Sequence, residues 1–206
     1  MPRVVVLLDA GGVLFDNVTE HSPFFAALAG RFGVGERALR ERYEAQDAEF
    51  ETGAHTGAAA VATALASLGV PRSAISPGEL RATYGRYVRP NRPLLEFLRR
   101  RRHDDSAARR YHLTLANNEA RDWDAEKDRR FGHLGLCDSL SCSWLIGAAK
   151  PQPRFFTAAL ARLHADPAEA VLVDDNAACL DAARALGLAA HAFRGAEDLV
   201  AMLGRL

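Results

Sequence analysis

The sequence has little cysteine, no long apolar run and no surplus of either charge. Its three cysteines, Cys137, Cys142 and Cys179, are odd in number and show no paired ligand spacing. That argues against a disulfide framework or a zinc ribbon. They read as free thiols of a reducing compartment, so the cytoplasm is the expected location. No stretch approaches the roughly 18 apolar residues of a spanning helix, and no membrane association is expected. Arg3 ahead of Val4 to Leu8 imitates a secretory signal, but the run is too short and Asp9 interrupts it. Lys+Arg and Asp+Glu balance at 26 each, which gives no electrostatic reason to expect a nucleic-acid partner. The arginines at 99–102, with Arg109 and Arg110, read as the cationic end of a helix followed by a solvated loop.

What the chain does have is a set of short apolar runs that end on charge. Val4-Val5-Val6-Leu7-Leu8 reads as a strand buried on both faces, and it stops at Asp9 before Gly11 and Gly12. An unpaired carboxylate is costly to bury, so Asp9 belongs at a strand end where a ligand can reach it. After Leu14 the periodicity is helical for about seventy-five residues. One helix follows Ser22-Pro23 and closes at Gly33 and Gly35, and another is predicted from Leu39 to Phe50. A third carries Val61, Leu65 and Leu68, and a fourth starts at Ser76-Pro77 and runs towards Tyr87. A crossover needs only a dozen or so residues, so this block reads as an inserted lid.

From Pro90 onwards strands and helices alternate. Strands are expected at Tyr111 to Ala116, within Leu136 to Trp144, at Ala170 to Val173 and at Leu188 to Phe193, with helices between them. That alternation predicts an α/β fold, a Rossmann-like doubly wound parallel sheet with an inserted helical cap. The expected division is a core of residues 1–14 and 91–206 and a cap of residues 15–90. In a parallel sheet all carboxyl ends share one edge, which would bring Asp9, Asp174, Asp175 and Lys150 together. Three carboxylates on one edge repel one another unless a cation is present. An all-oxygen set of this kind suits Mg²⁺ best. A lysine alongside would offset the remaining charge and hold a phosphate.

These residues resemble the haloacid dehalogenase-like (HAD) superfamily. The resemblance rests on Asp9-Ala10-Gly11-Gly12-Val13-Leu14, the strand ending at Ala116-Asn117, Gly147 to Lys150-Pro151, and Val173-Asp174-Asp175-Asn176, in the family's order and spacing. Phe50-Glu51-Thr52-Gly53 and the run from Val173 to Gly187 are similar to the branch holding α-D-glucose-1-phosphate phosphatases and the phosphatase domain of soluble epoxide hydrolases. The resemblance implies a Mg²⁺-dependent hydrolase of small phosphorylated metabolites, with a sugar phosphate as one candidate. Asp9 would be the nucleophile, forming an aspartyl-phosphate, and Lys150 would neutralise developing charge. Gly12, Ala116, Asn117 and Lys150 would surround the phosphate. The metal would be held by Asp9, the backbone carbonyl of Gly11, Asp174 and Asp175. A monomer or a homodimer is expected.

The chain departs from the family pattern at two positions. Family phosphatases usually carry a second aspartate, a general acid, where this chain has Gly11. They usually carry Ser or Thr where this chain has Ala116. Loss of both functions would slow hydrolysis of an alkyl phosphate by about 10³–10⁶-fold. The nearest substitutes are the Asn117 amide, Thr114 on the same strand face, and Asp16 beyond the first strand. Two other readings follow: a descendant that binds ligand or partner without turnover, and a 2-haloacid dehalogenase. The paired Asp174-Asp175 argues against the dehalogenase. Substrate contacts are expected in the cap, among His21, Tyr43, Phe50, Glu51 and His55, and Trp123 and Trp144 read as core or half-buried aromatics.

Overall fold

The computed structural model describes residues 4–103 and 110–206. Arg3, Arg109 and the expected loop at Asp104-Asp105-Ser106 lie outside them. The chain begins with strand β1 (Val4–Leu8). Six helices follow: α1 (Val18–His21), α2 (Phe24–Phe32), α3 (Glu36–Glu44), α4 (Asp47–Glu51), α5 (Gly57–Ser67) and α6 (Pro77–Tyr87). The remainder alternates as α7 (Arg92–His103), β2 (Tyr111–Leu115), α8 (Arg121–Phe131), β3 (Ser139–Leu140), α9 (Ser143–Ile146), α10 (Pro153–Leu163), β4 (Ala170–Asp174), α11 (Ala177–Ala185), β5 (Ala189–Ala192) and α12 (Ala196–Gly204).

The five strands form one parallel sheet in the order β3-β2-β1-β4-β5. The period-2 alternation of a strand divides each apolar run between the two faces. Val6, Leu8, Leu113, Leu115, Val171 and Val173 pack into the core shared with α7, α12 and the helices of residues 18–87. Val5, Leu7, Ala170 and Leu172 pack instead against Phe155 and Phe156 of α10 and Leu180 of α11. Both faces are covered, which is why the strands read as unbroken apolar runs and not as alternating ones.

The sequence-level expectations differ from the structure in three local ways. A short helix, α1, precedes α2. The predicted helix from Leu39 to Phe50 is two helices, since α3 ends at Glu44 and α4 starts at Asp47. The arginine run is only partly solvated. Arg101 is buried, with its guanidinium 2.5 Å from Asp138 and its Nε donating to the Tyr111 hydroxyl at 3.2 Å. Its neighbours on α7 fit the solvated reading better, with Arg100 exposed and paired to Glu96 one turn back.

The two passages that join the helical block to the sheet run side by side. Asp16 donates its N–H to the Arg89 carbonyl at 3.0 Å, and Asn91 donates to the Leu14 carbonyl at 2.9 Å. The block rests on α8. The Trp123 ring stacks on Tyr84, with centroids 4.2 Å apart, and its Nε1 donates to the Tyr43 hydroxyl at 3.2 Å. Asp122 accepts the first N–H groups of α5, from Gly57 at 2.7 Å and Ala58 at 3.1 Å. These donors have no intrahelical acceptor, so a carboxylate supplied from α8 caps the helix and ties the block down.

Candidate active site

The strand register fixes the site. Leu8 is paired with Leu115 on one side and with Val173 on the other. One residue further on, Asp9, Ala116 and Asp174 therefore stand level at the carboxyl edge. The strand order also reverses here: β2 and β3 lie to one side of β1, and β4 and β5 to the other. Helices on the two sides depart in opposite directions at such a point and leave a crevice, which is where open parallel sheets bind ligands.

Lys150 closes this edge from the loop between α9 and α10. Its Nζ donates to Asp9 Oδ1 at 2.8 Å and to Asp174 Oδ2 at 2.6 Å, with all three side chains nearly or fully buried. The lysine backbone is held by Asn118, whose Oδ1 accepts the Lys150 N–H at 2.9 Å and whose Nδ2 donates to the Lys150 carbonyl at 2.7 Å. The other oxygen of Asp174 accepts the Asn176 N–H at 2.9 Å, and the Asn176 side chain in turn caps α11. Each of these side chains is thus oriented by a second one, which holds the cluster in a fixed arrangement.

Asp9, Asp174 and Asp175 present one oxygen each, all within 4.8 Å of one another. Burial pushes the Asp9 carboxyl up; Lys150 opposes this and Asp174 adds to it, and the outcome is about 6. Burial pulls Lys150 down, but Asp9 and Asp174 outweigh it and hold the ammonium above its ordinary value. Burial, and then Asp174, also raise Asp175. One ammonium facing three carboxylates leaves an excess of negative charge. A hard, oxygen-loving divalent cation fits the donor set, and Asp9, Asp174 and Asp175 are the residues that would hold it.

Gly12 has a positive φ of 69°, and the Asp175 carboxylate lies where its Cβ would be. Only glycine permits that approach. The Gly12 N–H is spent on the Phe15 carbonyl at 2.7 Å, and the Ala116 N–H on Leu8 at 2.7 Å. Asn117 lines the cleft, and its Nδ2 donates to both Asp124 oxygens, at 2.8 and 3.0 Å. Asp124 can hold it because burial is offset by His133, Lys127 and the Trp144 N–H, which keep that carboxyl below its ordinary value. Thr114 is paired with Ser141 at 3.0 Å. Asp16 is exposed and lies outside both hollows of the cleft.

The cleft has two neighbouring hollows that share Gly11, Asn17, Glu20, Glu51 and Asn118 in their linings. A hollow of about 210 Å³ holds Asp9, Lys150, Asp174 and Asp175. A second, of about 340 Å³, is walled by Tyr43, Phe50 and Asp47 from the helical block and by Glu119 and Lys127 from below. Of the five expected cap contacts, Tyr43, Phe50 and Glu51 line it; His21 and His55 do not. Its floor is a buried ion pair, Lys127 Nζ to Glu119 at 2.5 Å, with the Tyr84 hydroxyl donating to the same oxygen at 3.0 Å. Sequence reasoning missed Asn118, Glu119 and Lys127. Their signal was only a polar run opening a helix.

A sequence model of haloacid dehalogenase-like hydrolases matches residues 4–187. The chain belongs to this family. Among solved structures it is similar to the HAD family enzyme BT-2542 of Bacteroides thetaiotaomicron in its magnesium complex. The TM-score is 0.78 at 19% identity, with 98% of each chain covered. It is also similar to a predicted HAD-like family hydrolase of Porphyromonas gingivalis, with TM-score 0.74, 16% identity and 100% and 98% coverage. A third likeness is to the L-2-haloacid dehalogenase PA0810, with TM-score 0.62, 20% identity and 95% and 86% coverage. At these identities the likeness establishes the fold, which is the Rossmann-like HAD fold. No curated protein sequence matches this chain significantly. Among the described residues, no helix is long and apolar enough to cross a membrane.

Proposed function

We propose that this HAD-like hydrolase cleaves small phosphate monoesters, with Asp9 as nucleophile and the helices of residues 15–90 as a cap over the leaving group. The observation that carries this reading is the Lys150 ammonium bridging Asp9 and Asp174 at the sheet's switch point. A carboxylate so placed stays ionised near neutral pH although it is buried, and it faces an open hollow. Mg²⁺ bound at Asp9, Asp174 and Asp175, with the Gly11 carbonyl, would neutralise phosphate charge.

Attack by an Asp9 oxygen on phosphorus forms the Asp9 O–P bond and breaks the bond to the alcohol. Water then cleaves the aspartyl-phosphate and restores Asp9. Lys150 stabilises the charge that gathers in both steps, in a site where low dielectric strengthens its effect. The phosphate occupies the smaller hollow and the alcohol the larger, beside Tyr43 and Phe50. The acidic pair Asp174-Asp175 favours this chemistry over halide displacement, since a carboxylate-rich cation site serves a phosphate and not a carbon–halogen bond.

The test is phosphate release from a panel of phosphorylated metabolites, with and without Mg²⁺, for the native protein and Asp9→Asn. Mg²⁺-dependent release that Asp9→Asn abolishes is expected. Release that survives Asp9→Asn, or none from any ester, sinks the reading. Halide release from 2-chloropropionate would favour the dehalogenase instead.

A further inference from the structure

We propose that Glu51, carried on α4 of the helical block, is the proton donor to the leaving alcohol, the part that Gly11 cannot play. The inference rests on the phosphatase reading above. Glu51 lines both hollows of the cleft, the one that holds Asp9 and Lys150 and the one walled by Tyr43 and Phe50. With phosphate in the first and the alcohol in the second, the bond that breaks lies at their junction. Glu51 and Glu20 are the two carboxyl groups common to both linings.

The alternatives are engaged elsewhere. The place next to Gly11 is filled by the Asn17 side chain, whose Oδ1 lies where a Cβ at position 11 would be. Asn17 is an amide and cannot supply a proton as an acid does. Glu20 is exposed and accepts from Asn17 Nδ2 at 3.4 Å. Glu119 is tied to Lys127 and Tyr84. Asp174 and Asp175 belong to the cation cluster. Cys179, at the hollow's edge, is a thiol pushed up to about 12 by burial.

Glu51 is half-buried, and its surroundings keep it protonated at neutral pH. Burial comes first, then the charges of Asp47 and Glu119. Lys150 pulls the other way and Glu20 adds a little, leaving the carboxyl at about 8. When the P–O bond breaks and the Asp9 O–P bond forms, the Glu51 O–H proton passes to the alkoxide and leaves a carboxylate. In the second step that carboxylate takes a proton from the attacking water, which restores the acid. General acid–base assistance of this kind is worth 10²–10⁴-fold.

The experiment compares native protein, Glu51→Gln and Asp9→Asn on β-glycerophosphate and on p-nitrophenyl phosphate, whose leaving group departs without a proton. Glu51→Gln should lower kcat on β-glycerophosphate by about 10²-fold or more and on p-nitrophenyl phosphate by less than about tenfold. Native protein should lose rate above pH about 8, and Glu51→Gln should not show that fall. Equal losses on the two esters would mean that Glu51 is only structural, and no loss on either would mean that it is idle; both overturn the proposal. In either case, Asp9-dependent turnover by native protein would leave the phosphatase reading standing. A native protein that hydrolyses neither ester, nor any phosphorylated metabolite of the panel above, removes both. Unchanged Mg²⁺-dependent stabilisation by BeF₃⁻ shows that the variant still folds around its site.

Discussion

Replacing Lys150 by methionine removes the ammonium that bridges the buried carboxylates of Asp9 and Asp174 and leaves a side chain of similar length. The Lys150 side chain is 3% exposed, and those of Asp9 and Asp174 are 10% and 1% exposed. Asp174 is closed to water and Asp9 meets it only through the hollow, so water replaces little of the lost partnership. Breaking a buried pair by removing one partner costs about 3–5 kcal/mol, because a charge is left uncompensated. For a chain of this size each kcal/mol moves Tm by about 2–4 °C, so the metal-free variant should melt about 6–20 °C lower. The deficit should depend on pH in a definite direction. Without Lys150 the folded-state pKa of Asp9 rises beyond about 6, further above its unfolded value. A raised carboxylate favours folding at low pH and loses that contribution as pH climbs through its folded pKa. The gap between variant and native protein should therefore be small near pH 5 and widest above pH 7. Mg²⁺, which can neutralise the same carboxylates, should restore part of the loss. Differential scanning calorimetry across pH 5–8, with and without Mg²⁺, gives all three results. A Lys150→Met protein that melts within 2 °C of native at pH 8 without metal would refute the electrostatic argument.

Two further substitutions probe the glycine turn. Gly11 has no positive φ, so its backbone tolerates a side chain, but the added Cβ meets Asn17 Oδ1. Gly11→Asp should cost about 1–3 kcal/mol by overpacking. Adding Asn17→Ala should return most of it, and a double variant no more stable than the single one would contradict the placement of Asn17. If Glu51 is the acid, the double change should also raise β-glycerophosphate hydrolysis by Glu51→Gln at least about tenfold. Gly12→Ala meets both a positive φ of 69° and the Asp175 carboxylate. It should cost about 1–3 kcal/mol and weaken Mg²⁺-dependent stabilisation, as read from Tm against metal concentration.

Much of the site was legible because strand ends carry a one-dimensional signature. An apolar run buried on both faces cannot end on Asp9 or Asp174 without a reason, and parallel strands put all such ends on one edge. That reasoning places Asp9, Asp174, Asp175 and Lys150 together, and they meet within hydrogen-bonding distance or within one cation's reach. The helical block was legible from its periodicity, although the break between α3 and α4 was not. Arg101 shows why charge runs mislead: its burial depends on Asp138 and Tyr111, which no local pattern links to it.

The sequence by itself determined the sheet, the order of its strands along the chain, and which carboxylates stand at its edge, because apolar periodicity and strand ends are local properties. Only the tertiary structure decided what surrounds them. It turned the Asn117 amide onto Asp124, set Asn118 to clamp Lys150, filled the niche beside Gly11 with Asn17, and brought Glu51 to the junction of the two hollows. Each of these depends on contacts between segments far apart in the chain. Their energies come from burial and shared partners, which exist only once the helical block has packed against α8.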